Sequence, residues 1–355
     1  MFILGAGTST PAVHYSQREC WDALVGSAEF SRLTRRSQAI LKKVLLGQNG
    51  VSGRYLALDP LSEAFELNPD ALQRRFSVHA PQLATTAARR AVSGLALEPG
   101  EIDALIVSTC TGYLCPGLTS YVSEQLGLRS DAILLDLVGQ GCGAALPNLS
   151  TGEALLRAGR CGKVLHVCVE VCSAAFYLDD DPGVLISACL FGDGAGAVVT
   201  SAEPMPSCPQ IEWIDFETRL VVKDREYLRF DHQGGMLRNI LAPEVPGKAS
   251  RHAADVLQTA LQRNGLEISD LAGWITHAGG REVLNALSSE LGVSAEVFQH
   301  SWEVLDEHGN LSSPFVFFVL ERAINAGLTP GWWWLNSFGA GFTSHGALLK
   351  VTRPR

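Results

Sequence analysis

Three short segments carry side chains that could act together in chemistry. A cysteine between two glycines, Cys142, follows an apolar run and precedes a helix-like stretch over 144–158. The positive end of a helix dipole and its free backbone N–H groups stabilise a thiolate, the nucleophilic form of cysteine. An ordinary thiol, with a pKa of about 8.5, would be only a few per cent ionised at neutral pH. The segment therefore indicates an activated nucleophile, and a buried structural cysteine is the alternative that it leaves open.

The other two segments contain a histidine and an asparagine. His277 ends a predicted apolar strand and precedes a glycine pair, and Asn310 precedes an apolar helix predicted over Phe315–Ile324. Alone, each has a simpler interpretation, a structural histidine and a helix-capping asparagine. However, all three candidates lie at strand-to-helix junctions, which in α/β sheets converge where the strands end and ligands bind. The three segments together therefore predict one site.

The elements that must position these residues alternate between strands and helices. Such alternation predicts an α/β fold with buried, mixed sheets and helices on both sides. Two rounds of it suggest a duplicated architecture. The predicted strands are Ala104–Thr109, Ala132–Leu137, Val164–Val171, Gly194–Thr200, Trp274–His277, Trp332–Ser337 and Ala347–Val351, with helices near 280–291 and 312–326.

Length and composition limit the class of protein. The 355 residues suffice for one large unit or two fused domains, and 46% of them are hydrophobic. No apolar run reaches the roughly 20 residues that a membrane span needs. The N-terminal segment lacks the basic residues and the long apolar stretch of a signal peptide, so we expect a cytoplasmic protein.

The net charge limits the binding partners, and the cysteine usage agrees with a cytoplasmic protein. The net charge of −9 argues against general binding to nucleic acid or anionic membranes. A local basic stretch between Arg32 and Arg54 is either a solvated helix face or a contact for the phosphates of a nucleotide-bearing substrate. The odd number of nine cysteines, spread over predicted strands and helices, favours reduced thiols over a disulfide framework.

One predicted strand, 165–172, alternates strictly between apolar and other residues. His166, Cys168, Glu170 and Cys172 share one face, which raises the question of a zinc site. Neighbours on one strand face lie about 6.6 Å apart, too far to coordinate one ion comfortably. We therefore predict no metal, and a strand face that lines a half-polar cavity.

The order and spacing of the three segments resemble the type III polyketide synthases of the chalcone and stilbene synthase family, in the thiolase-like superfamily. Two further matches, Phe191–Ala195 and Ser337–Gly341, extend the resemblance over nearly the whole chain. It implies a duplicated αβαβα layered fold with mixed sheets and buried central helices. Residues 1–205 would form the half that carries the cysteine, and residues 206–355 the half that carries the histidine and asparagine.

The resemblance also implies a reaction. Cys142 would accept a starter acyl group from coenzyme A as a thioester, with His277 stabilising the thiolate. Malonyl-CoA would lose carbon dioxide, and His277 and Asn310 would donate hydrogen bonds to the enolate oxygen. The enolate would then lengthen the chain on Cys142 by two carbons. The enzyme would be a homodimeric acyltransferase that uses CoA thioesters as substrates and binds no permanent cofactor or metal.

Other residues acquire roles only through the resemblance. Phe191 matches the aromatic gate between the coenzyme A tunnel and the catalytic cavity, and Cys115 falls on the loop that family members push across the dimer axis. Candidates for CoA phosphate contacts are Lys42, Lys43 and Arg281. The initiation and cyclisation pocket would be lined by Cys110, Thr111, Cys172, Ala175, Gly235 and Ser312.

The chain departs from the plant pattern in its pocket. Cys110 and Cys172 replace threonines typical of chalcone synthases, which resembles some bacterial naphthalene-forming members, and Ala278 and Ala340 replace common prolines. The second gate phenylalanine has no clear counterpart between Gly235 and Pro246. The starter, the number of extensions and the mode of release stay open.

Two other functions are alternatives for this sequence. A chain-initiating ketoacyl synthase shares the cysteine, histidine and asparagine, but its usual His-Gln-Ala-Asn segment is absent here. A non-catalytic partner subunit that only binds a metabolite would commonly have lost the nucleophile, which this chain keeps.

Overall fold

The computed structural model describes residues 1–206 and 208–353 and contains a sheet of nine strands between helical layers. The strands are β1 Phe2–Ser9, β2 His14–Ser16, β3 Gly53–Tyr55, β4 Ala104–Thr109, β5 Ile133–Val138, β6 Lys163–Glu170, β7 Gly194–Ser201, β8 Gln210–Leu220, β9 Leu228–Gln233, β10 Met236–Leu241, β11 Leu271–Thr276, β12 Gly331–Gly339 and β13 Thr343–Thr352. The helices are α1 Gln17–Val25, α2 Ala28–Arg32, α3 Arg35–Leu46, α4 Pro69–Ser93, α5 Leu118–Leu126, α6 Ala145–Arg157, α7 Pro182–Leu190, α8 Val245–Asn264, α9 Arg281–Leu291, α10 Gln299–His308 and α11 Phe315–Ala326.

The large sheet is mixed, as the alternation of elements predicts. Its strand order is β11-β12-β13-β8-β1-β7-β6-β4-β5. The pairs β4–β5, β4–β6 and β11–β12 are parallel, and the pairs around β1, β7, β8 and β13 are antiparallel. Two short hairpin-like sheets, β2–β3 and β9–β10, lie beside it.

Apolar helices cover both faces of this sheet. On β1, Ile3 belongs to one large hydrophobic cluster and Leu4 to another, because successive strand side chains point to opposite faces. Helix α11 packs in the first cluster and α4 in the second. The sheet is thus buried on both sides, which explains why every residue of β4 and β7 is buried rather than every second one.

Most predicted elements agree with the structure to within a few residues, but the sequence pattern predicts neither β1 and β8 of the large sheet nor the short strands β2, β3, β9 and β10. The glycines of β1 interrupt the apolar pattern by which a strand is recognised. At least one of them is required by a packing contact. A Cβ at Gly7 would lie 2.4 Å from the main-chain nitrogen of Ala91 in α4. The helix therefore rests directly on the strand backbone, a requirement that a single sequence does not reveal.

The division into halves 1–205 and 206–355 stays a prediction. The proposed boundary falls between β7 and β8, which both pair with β1 in the same sheet. Among the described residues, no helix has both the length and the apolar character needed to cross a membrane.

Candidate active site

A glycine-rich turn presents Cys142 after the edge strand β5. Gly139 and Gly141 have φ angles of +82° and +58°, a conformation that favours glycine. A short 3₁₀ turn, Gly141–Gly143, then leads into α6. A Cβ at Gly141 would lie 2.9 Å from the Cβ of Ala340, so the turn is packed tightly against the segment that links β12 to β13. The strand-to-helix junction predicted for the cysteine is therefore present.

His277 follows the last residue of β11 and is 1% exposed. Its main-chain N–H donates to the carbonyl oxygen of Asn336 over 3.0 Å. The rings of Phe315 and Phe338 meet the imidazole edge to face, each with 5.2 Å between ring centroids. Burial lowers the pKa of His277 to about 3, so the imidazole is neutral at physiological pH. Its Nδ1 atom is buried without a hydrogen-bond partner among the described residues.

Asn310 is held at both its side chain and its main chain. Its Nδ2 donates to the carbonyl oxygen of Gly279 over 3.1 Å, and its Oδ1 accepts from the main-chain nitrogen of Ser312 at 2.8 Å. The residue before α11 is Pro314, so Asn310 does not occupy the N-cap position of that helix. Its main chain instead forms a parallel bridge with Phe191. Asn310 is thus held by the segment before α11 and does not cap that helix.

Two cavities meet at the candidate nucleophile. The entrance cavity, of about 590 Å³, is lined by Cys142, His277, Asn310, Phe191 and Arg281, among others. The smaller inner cavity, of about 50 Å³, is also lined by Cys142 and Phe191. The structure therefore brings the three predicted catalytic residues to one cavity and places Phe191 at the junction of the two.

Five of the six predicted pocket residues line the inner cavity. The exception is Gly235, which lines a neighbouring rear cavity of about 750 Å³ that shares Cys110 and Thr111 with the inner one. Sequence reasoning missed Ser187 and Leu228, which also lie at the junction of the entrance and inner cavities. The five residues that line the inner cavity are Cys110, Thr111, Cys172, Ala175 and Ser312.

The thiol of Cys142 is hydrogen-bonded to a serine. Ser312 Oγ donates to Cys142 Sγ over 3.2 Å, and Cys110 Sγ lies 3.7 Å from the same hydroxyl. The surrounding protein raises the pKa of Cys142 to about 12 by removing water; the Ser312 hydrogen bond opposes this effect, and the negative charge of Glu170 adds to it. The sulfur is thus a neutral thiol that lines the same cavity as a neutral imidazole. This direction is opposite to the lowered pKa that a helix start predicts for Cys142.

A buried glutamate underlies the inner cavity. Glu170, at the end of β6, accepts hydrogen bonds from the main-chain nitrogens of Cys110 and Thr111, over 3.0 and 3.1 Å, and from the Cys110 thiol over 3.3 Å. Burial raises the pKa of Glu170. The alternating pattern of β6 had placed this glutamate on the same face as Cys172, and that signal could have identified it as a site residue.

Two other residues on the same face of β6, His166 and Cys168, do not line the cavities described above. His166 and Cys168 are fully buried, and the His166 ring bonds to Asn148 and Thr200 over 2.8 and 2.9 Å. The expectation of a cavity-lining face is therefore wrong for these two residues, because α6 packs over this part of β6. Within residues 1–206 and 208–353, no group of three His, Cys, Asp or Glu side chains is arranged to hold a metal ion.

The candidate CoA contacts differ in position. Arg281 lines the entrance cavity, and its Nη1 donates to the carbonyl oxygen of Gln48 over 2.9 Å. Lys42 and Lys43 are exposed on α3 and do not line the cavity, although Val44 in the last turn of that helix does. Cys115 is exposed in the loop before α5, away from the entrance.

Comparison with known proteins places this geometry in a family. Residues 229–352 match the model of chalcone and stilbene synthases, C-terminal domain, and residues 40–208 match that of FAE1/type III polyketide synthase-like proteins. The alpha-pyrone synthesis polyketide synthase-like Pks18 of Mycobacterium tuberculosis is 32% identical over 85% of this chain and 80% of its own. The 3,5-dihydroxyphenylacetyl-CoA synthase of Amycolatopsis balhimycina is 30% identical over 98% of this chain and 92% of its own.

Solved structures agree on the fold. The 1,3,6,8-tetrahydroxynaphthalene synthase of Streptomyces coelicolor A3(2) superposes with a TM-score of 0.88 over 99% of this chain and all of its own, at 22% identity. PKS-I from the brown alga Ectocarpus siliculosus gives 0.90 over 99% of both chains, at 24% identity. The thiolase-like α/β fold that the sequence motifs implied is thereby confirmed. With identities of 30% and more over most of the length of its relatives, the chain belongs to the chalcone and stilbene synthase family and is an acyl-transferring type III polyketide synthase.

Proposed function

We propose that Cys142 carries the growing acyl chain, and that His277 and Asn310 stabilise the oxygen anions formed during its extension. The observation that supports this assignment is that all three side chains line the entrance cavity, with Cys142 also reaching the inner one. A substrate arriving through the entrance would meet the sulfur and both nitrogen donors before the inner cavity. These three residues thus provide a nucleophile and oxyanion donors in one water-poor space.

The loading step begins from neutral groups. Burial keeps the imidazole of His277 unprotonated, so it is available as a proton acceptor. The same burial disfavours the thiolate–imidazolium pair, so the proton of the Cys142 thiol moves to His277 only as the sulfur bonds to the acyl-CoA carbonyl carbon. The bond to the coenzyme A sulfur then breaks, and the departing thiolate takes the proton from the imidazolium. Cys142 ends as a thioester and His277 is neutral again.

Extension needs no general base. When malonyl-CoA loses carbon dioxide, the electron pair of the broken carbon–carbon bond becomes an enolate on the thioester oxygen. An N–H of neutral His277 and the Nδ2 group of Asn310 would donate hydrogen bonds to that oxygen. The enolate carbon then attacks the Cys142 thioester, and the sulfur leaves as a thiolate, so the lengthened chain is now a CoA thioester. Its acyl group returns to Cys142 by the loading step, with release of coenzyme A, before the next round. Repetition gives a polyketide that cyclises or is released.

The substrates we propose are a CoA-linked starter and malonyl-CoA, without a permanently bound cofactor. Arg281 at the entrance is the best-placed candidate for a CoA phosphate. Lys42 and Lys43 do not line this cavity but lie on α3 next to Val44, which does. The six pocket residues named above would set the volume for starter and product. Buried free thiols such as Cys161 and Cys189 fit a reducing compartment, and we propose the cytoplasm.

Separating loading from decarboxylation tests the assignment. Cys142→Ala should form no acyl-enzyme by mass spectrometry, yet should still release carbon dioxide from malonyl-CoA, because both nitrogen donors remain. Asn310→Ala should slow both carbon dioxide release and condensation by about 10²–10³-fold, as expected for the loss of one oxyanion donor. Cys161→Ala is a matched control, a buried cysteine remote from the cavities, and should retain both activities.

Two results would contradict the assignment: an acyl-enzyme that still forms on Cys142→Ala, or an unchanged rate for Asn310→Ala. The products of a panel of acyl-CoA starters with labelled malonyl-CoA, identified by mass spectrometry, would then define starter and chain length. Several extensions from malonyl-CoA alone are expected. A strict need for acyl carrier protein and a single condensation would favour the chain-initiating ketoacyl synthase instead.

We also propose that two copies of the chain associate through the edge of the sheet at β5. On this strand Leu134 and Val138 are 40% and 55% exposed, and on the loop before α5 Tyr113 is 67% exposed and Cys115 is exposed too. An open, apolar strand edge usually requires cover. The family's dimeric arrangement, with the Cys115 loop crossing the axis, would supply that cover.

Light scattering after gel filtration tests this interface. Val138→Glu should convert a dimer into a monomer, because it places a charge in the proposed contact. Leu220→Glu, at a residue that is 60% exposed elsewhere on the same sheet, is the matched control and should stay dimeric. Mild oxidation should also link two copies through Cys115. A dimer that persists in Val138→Glu would refute this interface.

A further inference from the structure

Arg54 is a buried cation that holds main chain and not a carboxylate. The residue lies in β3 and is 3% exposed. Its Nη1 donates to the carbonyl oxygens of Ala188 and Phe191, each over 2.8 Å. These carbonyls are at and just beyond the C-terminal turn of α7, where the helix dipole favours a positive charge. The guanidinium therefore fixes the point at which the chain leaves α7.

That point belongs to the catalytic machinery. The ring of Phe191 stands at the junction of the entrance and inner cavities. The chain on either side of it is bonded to Asn310, whose N–H donates to the Leu190 carbonyl over 2.8 Å and whose carbonyl accepts from the Gly192 nitrogen over 3.0 Å. Any displacement of residues 190–192 would thus move both the ring and the asparagine.

The stem of Arg54 also contacts the other side of this bridge. Gly309, directly before Asn310, has a φ angle of +69°. A Cβ there would lie 3.0 Å from Cγ of Arg54 and 2.4 Å from the Leu190 carbonyl oxygen. Arg54 consequently packs against the chain before Asn310 while its head group holds the chain at Phe191.

Arg54 itself lines neither the entrance nor the inner cavity. It borders a neighbouring apolar cavity that shares Phe176 and Ala188 with the inner one. Substituting it removes no direct contact with a substrate in the two catalytic cavities, so an effect on the reaction would pass through the main chain that it holds at Ala188 and Phe191, and through Asn310.

We propose that Arg54 is a positioning residue that sets the ring of Phe191 and the carboxamide of Asn310 together. The proposal rests on the function proposed above for Asn310. Losing the guanidinium should relax the bridge, so that the oxyanion donor is misplaced and the junction between the cavities widens. The turn that carries Cys142 packs against Gly339 and Ala340 and should keep its place.

The test compares two buried arginines. Arg75 is 7% exposed and donates to the main-chain carbonyls of Ser173 and Glu63, so Arg75→Met removes the same kind of group away from the bridge. For each variant we would measure malonyl-CoA decarboxylation, kcat and KM for condensation, alkylation of Cys142 by iodoacetamide, and thermal unfolding. Arg54→Met should slow decarboxylation about tenfold or more, as expected for a misplaced oxyanion donor. Alkylation of Cys142 should fall by less, because Gly339 and Ala340 hold its turn even if Ser312 shifts with Asn310. Arg75→Met should lower the unfolding temperature without changing the ratio of these two rates.

Arg54→Lys keeps the charge but not the planar fork, so it should retain more decarboxylation than Arg54→Met and less than the parent. It also replaces Arg54→Met if that variant does not fold. Two results would overturn the proposal. One is a decarboxylation rate within about twofold of the parent's, which we treat as no change, in the variant that folds. The other is a loss of decarboxylation matched by an equal loss of Cys142 alkylation. If Asn310→Ala left the decarboxylation rate unchanged, the function proposed for Asn310 would be refuted. If decarboxylation slowed in Asn310→Ala but not in the Arg54 variants, only the positioning role of Arg54 would be refuted.

Discussion

At the scale of single residues, Ser312 combines an unusual backbone with a contact to the nucleophile. Its φ angle of +60° lies in the left-handed region that few residues with side chains adopt. This conformation lets its main-chain nitrogen donate to Asn310 Oδ1 while its hydroxyl donates to Cys142 Sγ. One residue therefore links the candidate oxyanion donor to the candidate nucleophile.

Removing this hydroxyl should make Cys142 harder to ionise. The hydrogen bond favours the thiolate and lowers the pKa of Cys142, so Ser312→Ala should raise that pKa. A hydrogen bond to a charged group is worth about 1.5–3 kcal/mol, which corresponds to one pKa unit or more and to about tenfold slower alkylation below the pKa. The measurement is the rate of iodoacetamide alkylation of Cys142 against pH.

Ser313→Ala is the matched control for this measurement. Its hydroxyl donates to Glu170 and not to Cys142, so it should leave the profile closer to that of the parent. Equal profiles for Ser312→Ala and the parent would mean that the Ser312 hydroxyl does not act on the sulfur.

The types of the site residues were predictable, but their charge states were not. Cys142, His277 and Asn310 can be predicted as candidate site residues from their side-chain chemistry and from the glycines at strand-to-helix junctions. The raised pKa of Cys142 and the lowered pKa of His277 come from burial by distant parts of the chain, including Phe315 and Phe338. A local pattern shows which groups can react, whereas the surroundings that fix their ionisation form only on folding.

At the scale of elements, the turn between β5 and α6 shows how glycine places the nucleophile. Gly139 and Gly141 both have positive φ angles, but their surroundings differ. A Cβ at Gly139 would meet open space, whereas one at Gly141 would collide with Ala340. The first glycine is thus needed for conformation alone and the second also for close packing.

Alanine at the two positions should separate these requirements. Gly139→Ala should cost about 1 kcal/mol of unfolding free energy, the usual strain of a left-handed alanine, and leave acyl loading on Cys142 intact. Gly141→Ala should carry the same strain and displace the turn, so that loading falls steeply. Acyl-enzyme formation by mass spectrometry, with denaturant unfolding in parallel, distinguishes the two. Equal loading by both variants would show that the contact with Ala340 is dispensable.

The strands that were predicted and those that were missed differ in how local their causes are. β4 was predicted with its correct bounds because its apolar run is fully buried between helices and needs no other signal. The sequence does not predict β8, because its C-terminal half carries charged residues and is only partly buried. It forms a strand through its pairing with β13. In β1, glycine is needed at position 7 because α4 lies directly against the strand backbone. Pairing and helix contact are both long-range, and a single sequence does not encode them visibly.

At the scale of the whole molecule, buried neutral histidines link stability to pH. Burial lowers the pKa of His166 and His277 to about 3, and that of His308 and His345 to about 4. In the unfolded chain these groups return to about 6.5 and bind protons that the folded protein does not. Between pH 6.5 and the folded values, stability therefore falls as the pH falls, by up to about 1.4 kcal/mol per pH unit for each histidine.

Urea unfolding at pH 7, 6 and 5 should reveal this slope. His166→Gln removes one titrating group that is remote from the catalytic cavities, since His166 contacts Asn148 and Thr200 beneath α6. The variant should be less stable at pH 7 but should lose about 1 kcal/mol less than the parent between pH 6 and pH 5. Parallel curves for the two proteins would show that His166 does not titrate differently on folding.

The strand order of the nine-stranded sheet has a consequence for synthesis. Phe2 in β1 pairs with Ser201 in β7 and with Glu212 in β8, and β13 inserts between β8 and β12. The earliest strand to leave the ribosome must therefore wait for partners about 200 residues later, and the middle of the sheet closes only when the last strand arrives. Such distant pairing slows folding, and until it is complete the unpaired strand edges are exposed and prone to aggregate. Nascent chains stopped before residue 343 should accordingly be substrates for chaperones and proteases rather than small working enzymes.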